Sequence, residues 1–227
     1  MRNRILRLLN RIEDLSNSTS LKQKVVLVAV TKTFSADKIL EAYNCGLRIF
    51  GENRIQEALI KIDQLKEYKD IKWHMIGHLQ SNKVKKTKIF SLIHSIDSIR
   101  LLEEIASFEE NNKPEVLIQI NSSLESTKSG LNFNQVDPFF EEILEKKINE
   151  KVKIRGLMTI GPLTEDRNRI REAFKNTRKI YEELQIKYKL DFDTLSMGMS
   201  GDYDIAIQEG STMVRIGSLI FGERNYV

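Results

Sequence analysis

Short apolar runs alternate along this chain with longer segments whose apolar residues recur every three or four positions. That alternation predicts strands followed by amphipathic helices. The first strand is expected over residues 25–30, apolar at every position, as a strand covered on both faces must be. A helix follows over 36–44, with Gly46 placed to end it. A second strand is expected over 47–50, then a helix carrying Ile55, Ala58, Leu59, Ile62 and Leu65 on one face. Residues 72–76 read as strand three, 81–87 as a short basic helix, 91–95 as strand four and 99–108 as a helix. The rhythm repeats in the second half. Strands are expected at 116–120, 154–158, 194–197 and 212–216. Between them lie a helix with Val136, Phe139, Phe140, Ile143 and Leu144 on one face, a long helix over 170–184, and a short one over 203–208.

Eight such alternations in 227 residues leave roughly 28 residues per unit, close to what a (β/α)8 TIM barrel requires. A doubly wound open sheet is the structural alternative, but it normally has fewer strands and needs no eighth to close. No Gly/Pro/Ser-rich linker divides the chain, so one α/β domain over 1–227 is expected. Ahead of the first strand, Ile5, Leu8, Leu9, Ile12 and Leu15 share one helical face, which predicts an extra N-terminal amphipathic helix within 1–20, packed on the barrel.

Composition narrows the class. The chain is 41% hydrophobic and 30% charged, and its 36 basic against 32 acidic residues give a net charge of +4. So small an excess is a weak case for nucleic acid. No apolar run approaches the roughly 18 residues of a membrane span, and charge interrupts the N-terminal apolar positions, unlike a signal peptide. A single cysteine, Cys45, allows no internal disulfide. These features predict a protein of the cytoplasm.

In a barrel, chemistry gathers at the C-terminal ends of the strands. Lys32 directly follows the wholly apolar first strand, so its stem should start inside the mouth, where partial desolvation favours a nucleophilic amine. A lysine snorkelling to solvent is the plainer alternative. After strand seven, Gly198, Ser200 and Gly201 precede a short helix; after strand eight stand Gly217 and Ser218. Glycines let backbone N–H groups approach an anion, and barrels often hold phosphate after these two strands. Two ordinary tight turns would read the same way. A lysine facing a phosphate cradle suggests a phosphorylated carbonyl ligand. Pyridoxal 5′-phosphate fits, and spacing alone leaves a sugar-phosphate aldolase equally open.

Ordered motifs extend over essentially the whole chain: Ala29-Val-Thr-Lys-Thr33; Phe50-Gly-Glu-Asn53 with Gln56-Glu57; Trp73-His-Met-Ile-Gly-His-Leu-Gln-Ser-Asn-Lys83; His94-Ser-Ile-Asp97; Gln119-Ile-Asn121 with Lys128-Ser-Gly130; Arg155-Gly-Leu-Met158; Leu195-Ser-Met-Gly-Met-Ser200; and Gly210-Ser-Thr-Met-Val-Arg-Ile-Gly217 with Phe221-Gly222. In these the chain resembles the pyridoxal-phosphate homeostasis protein family, the YggS/PROSC type, related to the barrel domain of alanine racemases. The resemblance implies that Lys32 holds pyridoxal 5′-phosphate (PLP) as a Schiff base, that Arg215 faces the pyridine nitrogen, and that Asn53 lies beside the cofactor. It implies phosphate contacts from Ser200, Gly217 and Ser218, the last standing where many relatives have threonine. A racemase needs a second acid–base group on the far face of the cofactor, which alanine racemases take from an additional β-domain. The sequence ends shortly after strand eight, so the expectation is a PLP carrier in cofactor and amino-acid homeostasis, with no catalytic residue assigned. A PLP-dependent amino-acid racemase of low activity is the alternative. PLP, apo PLP-enzymes as acceptors and a monomeric state complete the expected picture.

The remaining features have plainer readings. His74 and His78 leave a strand, where four-residue spacing builds no helical metal face, so no metal site is expected. Lys83, Lys85, Lys86 and Lys88 read as a solvated face, Cys45 as small packing, Trp73 as an anchor in the barrel wall, and Tyr203 and Tyr226 as packing or surface tyrosines.

Overall fold

A computed structural model describes residues 1–108, 113–123, 125 and 129–222. Lys128 of the motif above and Tyr226 lie outside the described residues. The elements run α1 (Arg2–Ser18), β1 (Val26–Val30), α2 (Ala36–Asn44), β2 (Ile49–Glu52), α3 (Ile55–Gln64), β3 (Lys72–Met75), a 3₁₀ segment (Ser81–Ile89), β4 (Leu92–Ile96) and α4 (Ile99–Ala106). They continue with β5 (Glu115–Ile120), α5 (Phe133–Glu145), a 3₁₀ turn (Ile148–Glu150), β6 (Lys153–Thr159), α6 (Arg167–Tyr188), β7 (Thr194–Ser196), α7 (Tyr203–Gln208), β8 (Met213–Ile216) and α8 (Ser218–Phe221). The eight strands pair in sequence order into a closed barrel, and β8 returns to β1 through parallel pairs including Val28 with Arg215. The expected (β/α)8 barrel is the observed one.

Strand alternation sorts the side chains into two cores. One set packs inside the barrel: Val28, Leu92, Leu117, Met158 and Met213, with Val26 and Ile49 against them. The other fills the layer between strands and helices and includes Leu27, Ala29, Phe50, Trp73, Ile118 and Leu195. Trp73 is buried there with its ring centroid 5.8 Å from that of Phe50. By the same alternation, Lys32 continues the inward series of Val26, Val28 and Val30, whereas Thr31 faces the helices.

Some boundaries differ from expectation. Strand two begins at Ile49 rather than Leu47 and runs through Glu52. The reason is the end of α2: Gly46 N–H donates to Tyr43 O at 2.8 Å and Leu47 N–H to Ala42 O at 3.2 Å, a Schellman closure that takes Leu47 into the helix stop. The helix after β4 ends at Ala106, and the basic segment is 3₁₀ rather than α. In α1, Ile5, Leu8, Ile12 and Leu15 are buried, but Leu9, at the edge of the stripe, is 37% exposed. That helix packs against α7 and α8. Among the described residues, no helix is long and apolar enough to cross a membrane.

Candidate functional site

At the C-terminal mouth of the barrel a cavity of about 440 Å³ is lined by Lys32, Asn53, Ser200, Arg215, Gly217 and Ser218, together with Val30, Ile76, Ile160, Met199 and Gly201. The size falls within the usual range for small-molecule sites. All six residues singled out in the sequence thus meet in one place. Lys32 is half-buried, Ser218 is exposed, and Arg215 is 4% exposed. A second lobe of about 210 Å³ shares Asn53, Ile76 and Ile160 with the first and adds His78, Gln119 and Asn121.

Arg215 enters from β8 and is tied to β7 and β6. Its guanidinium donates to Ser196 O at 2.9 Å, to Ser196 Oγ at 2.7 Å and to Thr159 O at 2.8 Å. These bonds use three of its five N–H donors. Burial lowers its pKa to about 10, partly offset by Asp202, so it remains a cation at neutral pH. Behind it runs a buried chain of polar side chains. Ser196 Oγ stands 3.2 Å from His94 Nδ1, and His94 Nε2 stands 3.0 Å from His74 Nδ1. Burial pushes His74 down to about 3 and His94 well below its ordinary value, so both rings are neutral. Ser196 Oγ accepts from Arg215, and the tautomer that continues the chain directs the serine proton to His94 Nδ1. His94 then carries its proton on Nε2 and donates it to His74. In this arrangement the chain starts at the guanidinium and ends on His74 Nδ1.

The turns after β7 and β8, next to Arg215, present backbone. Gly198 adopts φ +97°, and a Cβ there would stand 2.6 Å from Ala206 Cβ, so this turn requires glycine. Gly198 O accepts from Arg215 N–H at 3.0 Å, which ties the turn after β7 to β8. Gly217 is buried against β1; a Cβ there would lie 3.2 Å from Val30 O. Asp202, whose pKa burial raises, accepts from Met199 N–H at 2.5 Å and so pins the loop that carries Ser200.

Other residues named in the sequence take the following places. Lys85, Lys86 and Lys88 are exposed while Val84 and Thr87 are buried, as in a solvated face. Tyr203 packs partly buried against the core and does not line the cavity. Among the described residues, no group of three His, Cys, Asp or Glu could hold a metal. The His74–His94 pair and the Asp202 clasp were not anticipated. The two histidines are 20 residues apart in sequence and become neighbours only through the β3–β4 pairing. Asp202 did carry a signal, standing at the N-cap of α7, but it turns back to its own loop.

Comparisons with known proteins agree with this architecture. Residues 7–225 match the family described as alanine racemase, N-terminal domain. The pyridoxal phosphate homeostasis protein of Aquifex aeolicus is 42% identical, covering 98% of each chain. The human protein of the same name is 41% identical over 88% of this chain and 77% of its own. The solved structure of PipY from Synechococcus elongatus with PLP bound superposes with a TM-score of 0.80 at 35% identity, covering 94% of this chain and 99% of PipY. Alanine racemase from Corynebacterium glutamicum shares the fold at a TM-score of 0.67 and 16% identity, and this chain spans 62% of it.

Proposed function

The chain belongs to the pyridoxal phosphate homeostasis proteins, within the alanine racemase N-terminal domain family, and from that premise we propose that it binds pyridoxal 5′-phosphate at the barrel mouth, covalently through Lys32, as a carrier in cofactor homeostasis rather than as an enzyme with turnover. The observation that carries this reading is the convergence of Lys32, Arg215 and the turns after β7 and β8 on a single cavity.

The residues fit the group. Bound there, the cofactor supplies an aldehyde that a lysine amine captures reversibly. Lys32 provides that amine from the end of an inward-facing strand. Ser200, Gly217 and Ser218 offer hydroxyls and backbone N–H groups to a phosphate, and Asn53 offers its amide from the end of β2. Arg215 has donors and no acceptor, so toward a pyridine nitrogen it can only donate, which keeps that nitrogen unprotonated. A ring held this way is a poor electron sink, which suits storage and transfer better than demanding carbanion chemistry. The His94–Ser196 chain, with the Ser196 and Thr159 carbonyls, holds the guanidinium in place through neutral acceptors. In this reading the protein works as a monomer in the cytoplasm and hands its cofactor to apo-enzymes.

The test is a transfer assay. PLP-loaded protein mixed with an apo PLP-enzyme should activate it faster than PLP is released into buffer, and L- or D-alanine should not be appreciably racemised. Equal rates of transfer and release would remove the carrier role. Sustained racemisation would favour the enzyme reading.

A further inference from the structure

A buried lysine sits on the other side of the β1 wall from Lys32. Lys61, on α3, is 5% exposed and projects into the layer between strands and helices. Its ammonium donates to Thr31 O at 2.7 Å, to Glu52 Oε1 at 2.7 Å and to Glu57 Oε1 at 2.5 Å. Thr31 Oγ1 donates to the same Glu52 oxygen at 2.6 Å, and Thr33 N–H donates to Glu57 Oε1 at 2.6 Å. The partners of this triad therefore lie immediately before and immediately after Lys32.

The segment it holds is a tight turn. Phe34 N–H donates to Thr31 O at 3.1 Å, so Lys32 and Thr33 are the two central residues. Thr33 adopts φ +71°, the left-handed region that such turns ordinarily fill with Gly or Asn. A β-branched residue does not hold that conformation unaided and needs surroundings that over-determine it. Glu57 on the Thr33 amide and Lys61 on the Thr31 carbonyl supply that constraint. Stability alone is a weak reason for the arrangement. Glu52 is fully buried, its Oε2 has no partner among the described residues, and apolar residues of similar volume would join helix to strand at lower desolvation cost.

We propose that Lys61, with Glu52 and Glu57, is a positioning device that fixes the backbone on both sides of Lys32 and so aims its amine into the cavity. It rests on Lys32 being the residue that carries the cofactor. The device predicts a specific loss in Lys61→Met: the protein folds, the Thr33 amide loses protection from hydrogen exchange, and adduct formation with PLP slows by about tenfold or more, the usual scale for a misplaced reacting group. Binding of pyridoxine 5′-phosphate, which has ring and phosphate but no aldehyde, should change little. If Lys61→Met proves too unstable, the partly exposed Glu57 gives the same test. Glu57→Leu should reproduce the loss, and Glu57→Gln, which keeps an acceptor for the Thr33 amide, should restore Thr33 protection and most of the rate. Adduct formation at the wild-type rate with Thr33 still protected would overturn the proposal. So would equal losses for PLP and pyridoxine 5′-phosphate, since these would mark a general distortion. If the unaltered protein formed no adduct on Lys32, the carrier reading would fall, while the exchange of Thr33 would still decide whether the triad holds the turn.

Discussion

The barrel interior has two ends built on opposite principles. At the base, Val26, Val28, Leu92, Leu117, Met158 and Met213 fill the space with apolar volume. Toward the mouth, β3, β4, β7 and β8 carry His74, His94, Ser196 and Arg215, all buried and all hydrogen-bonded. Val28 and Arg215 are register partners on β1 and β8, so the character changes within one strand-to-strand step. The base gains stability from area removed from water. The mouth instead buries polar groups that are tolerable only because each has a partner. Stability and binding should therefore respond to different substitutions.

The largest separation is expected from Lys32→Ala. It should abolish the covalent adduct, read as loss of the visible absorbance of the PLP-loaded protein, and leave the melting temperature close to that of the parent. A large drop in melting temperature would mean that the mouth is structural after all. Leu117→Ala should do the reverse. Leu117 is fully buried at the base, so about 2–5 kcal/mol of stability should be lost in urea unfolding. Adduct formation at room temperature should persist, and its loss would break the division between the two ends.

Acid should expose the mouth next. His74 is held at about 3 and His94 is also lowered, both by burial. In the unfolded chain they take up protons from about pH 6.5 downward, whereas in the folded chain they do not. Stability contributed by their neutral state is thus complete above about pH 6.5 and is lost as pH falls toward the folded values, at up to about 1.4 kcal/mol per pH unit for each ring. Glu52 and Asp202, raised by burial, act in the opposite sense at the acid end. His94→Gln should flatten the slope between pH 6.5 and 4.5, measured by urea unfolding at each pH; an unchanged slope would contradict the neutral pair. The smallest effect is expected from Ser218→Ala. Removing one exposed hydroxyl from the phosphate wall should weaken PLP binding by about 1 kcal/mol, roughly fivefold, in an absorbance titration. A loss as large as that of Lys32→Ala would shift the weight of binding to the turns.

Much of the barrel was legible because its signals are local. Strands covered on both faces read as continuous apolar runs, and α3, α5 and α6 kept their three-and-four spacing. The shift of β2 was not legible, since Gly51-Glu52 looks like a loop until Glu52 is seen to face the helices and meet Lys61. Four-residue α8 is too short to leave a period. Lys32, Arg215 and the two glycine turns could be found from their places at strand ends. The residues behind them could not, because the His74–Ser196 chain depends on pairing between strands, and Lys61 reads as an ordinary solvated lysine. Its one sequence clue was Glu57 four residues earlier, a spacing that occurs on many exposed helices.

The central claim is that the lysine at the mouth, and no other, carries the cofactor. Borohydride reduction of the PLP-loaded protein, followed by peptide mapping, tests it most directly. The account predicts a single phosphopyridoxyl label on Lys32; a label on Lys61, or one spread over the exposed lysines with Lys32 unmodified, would contradict it.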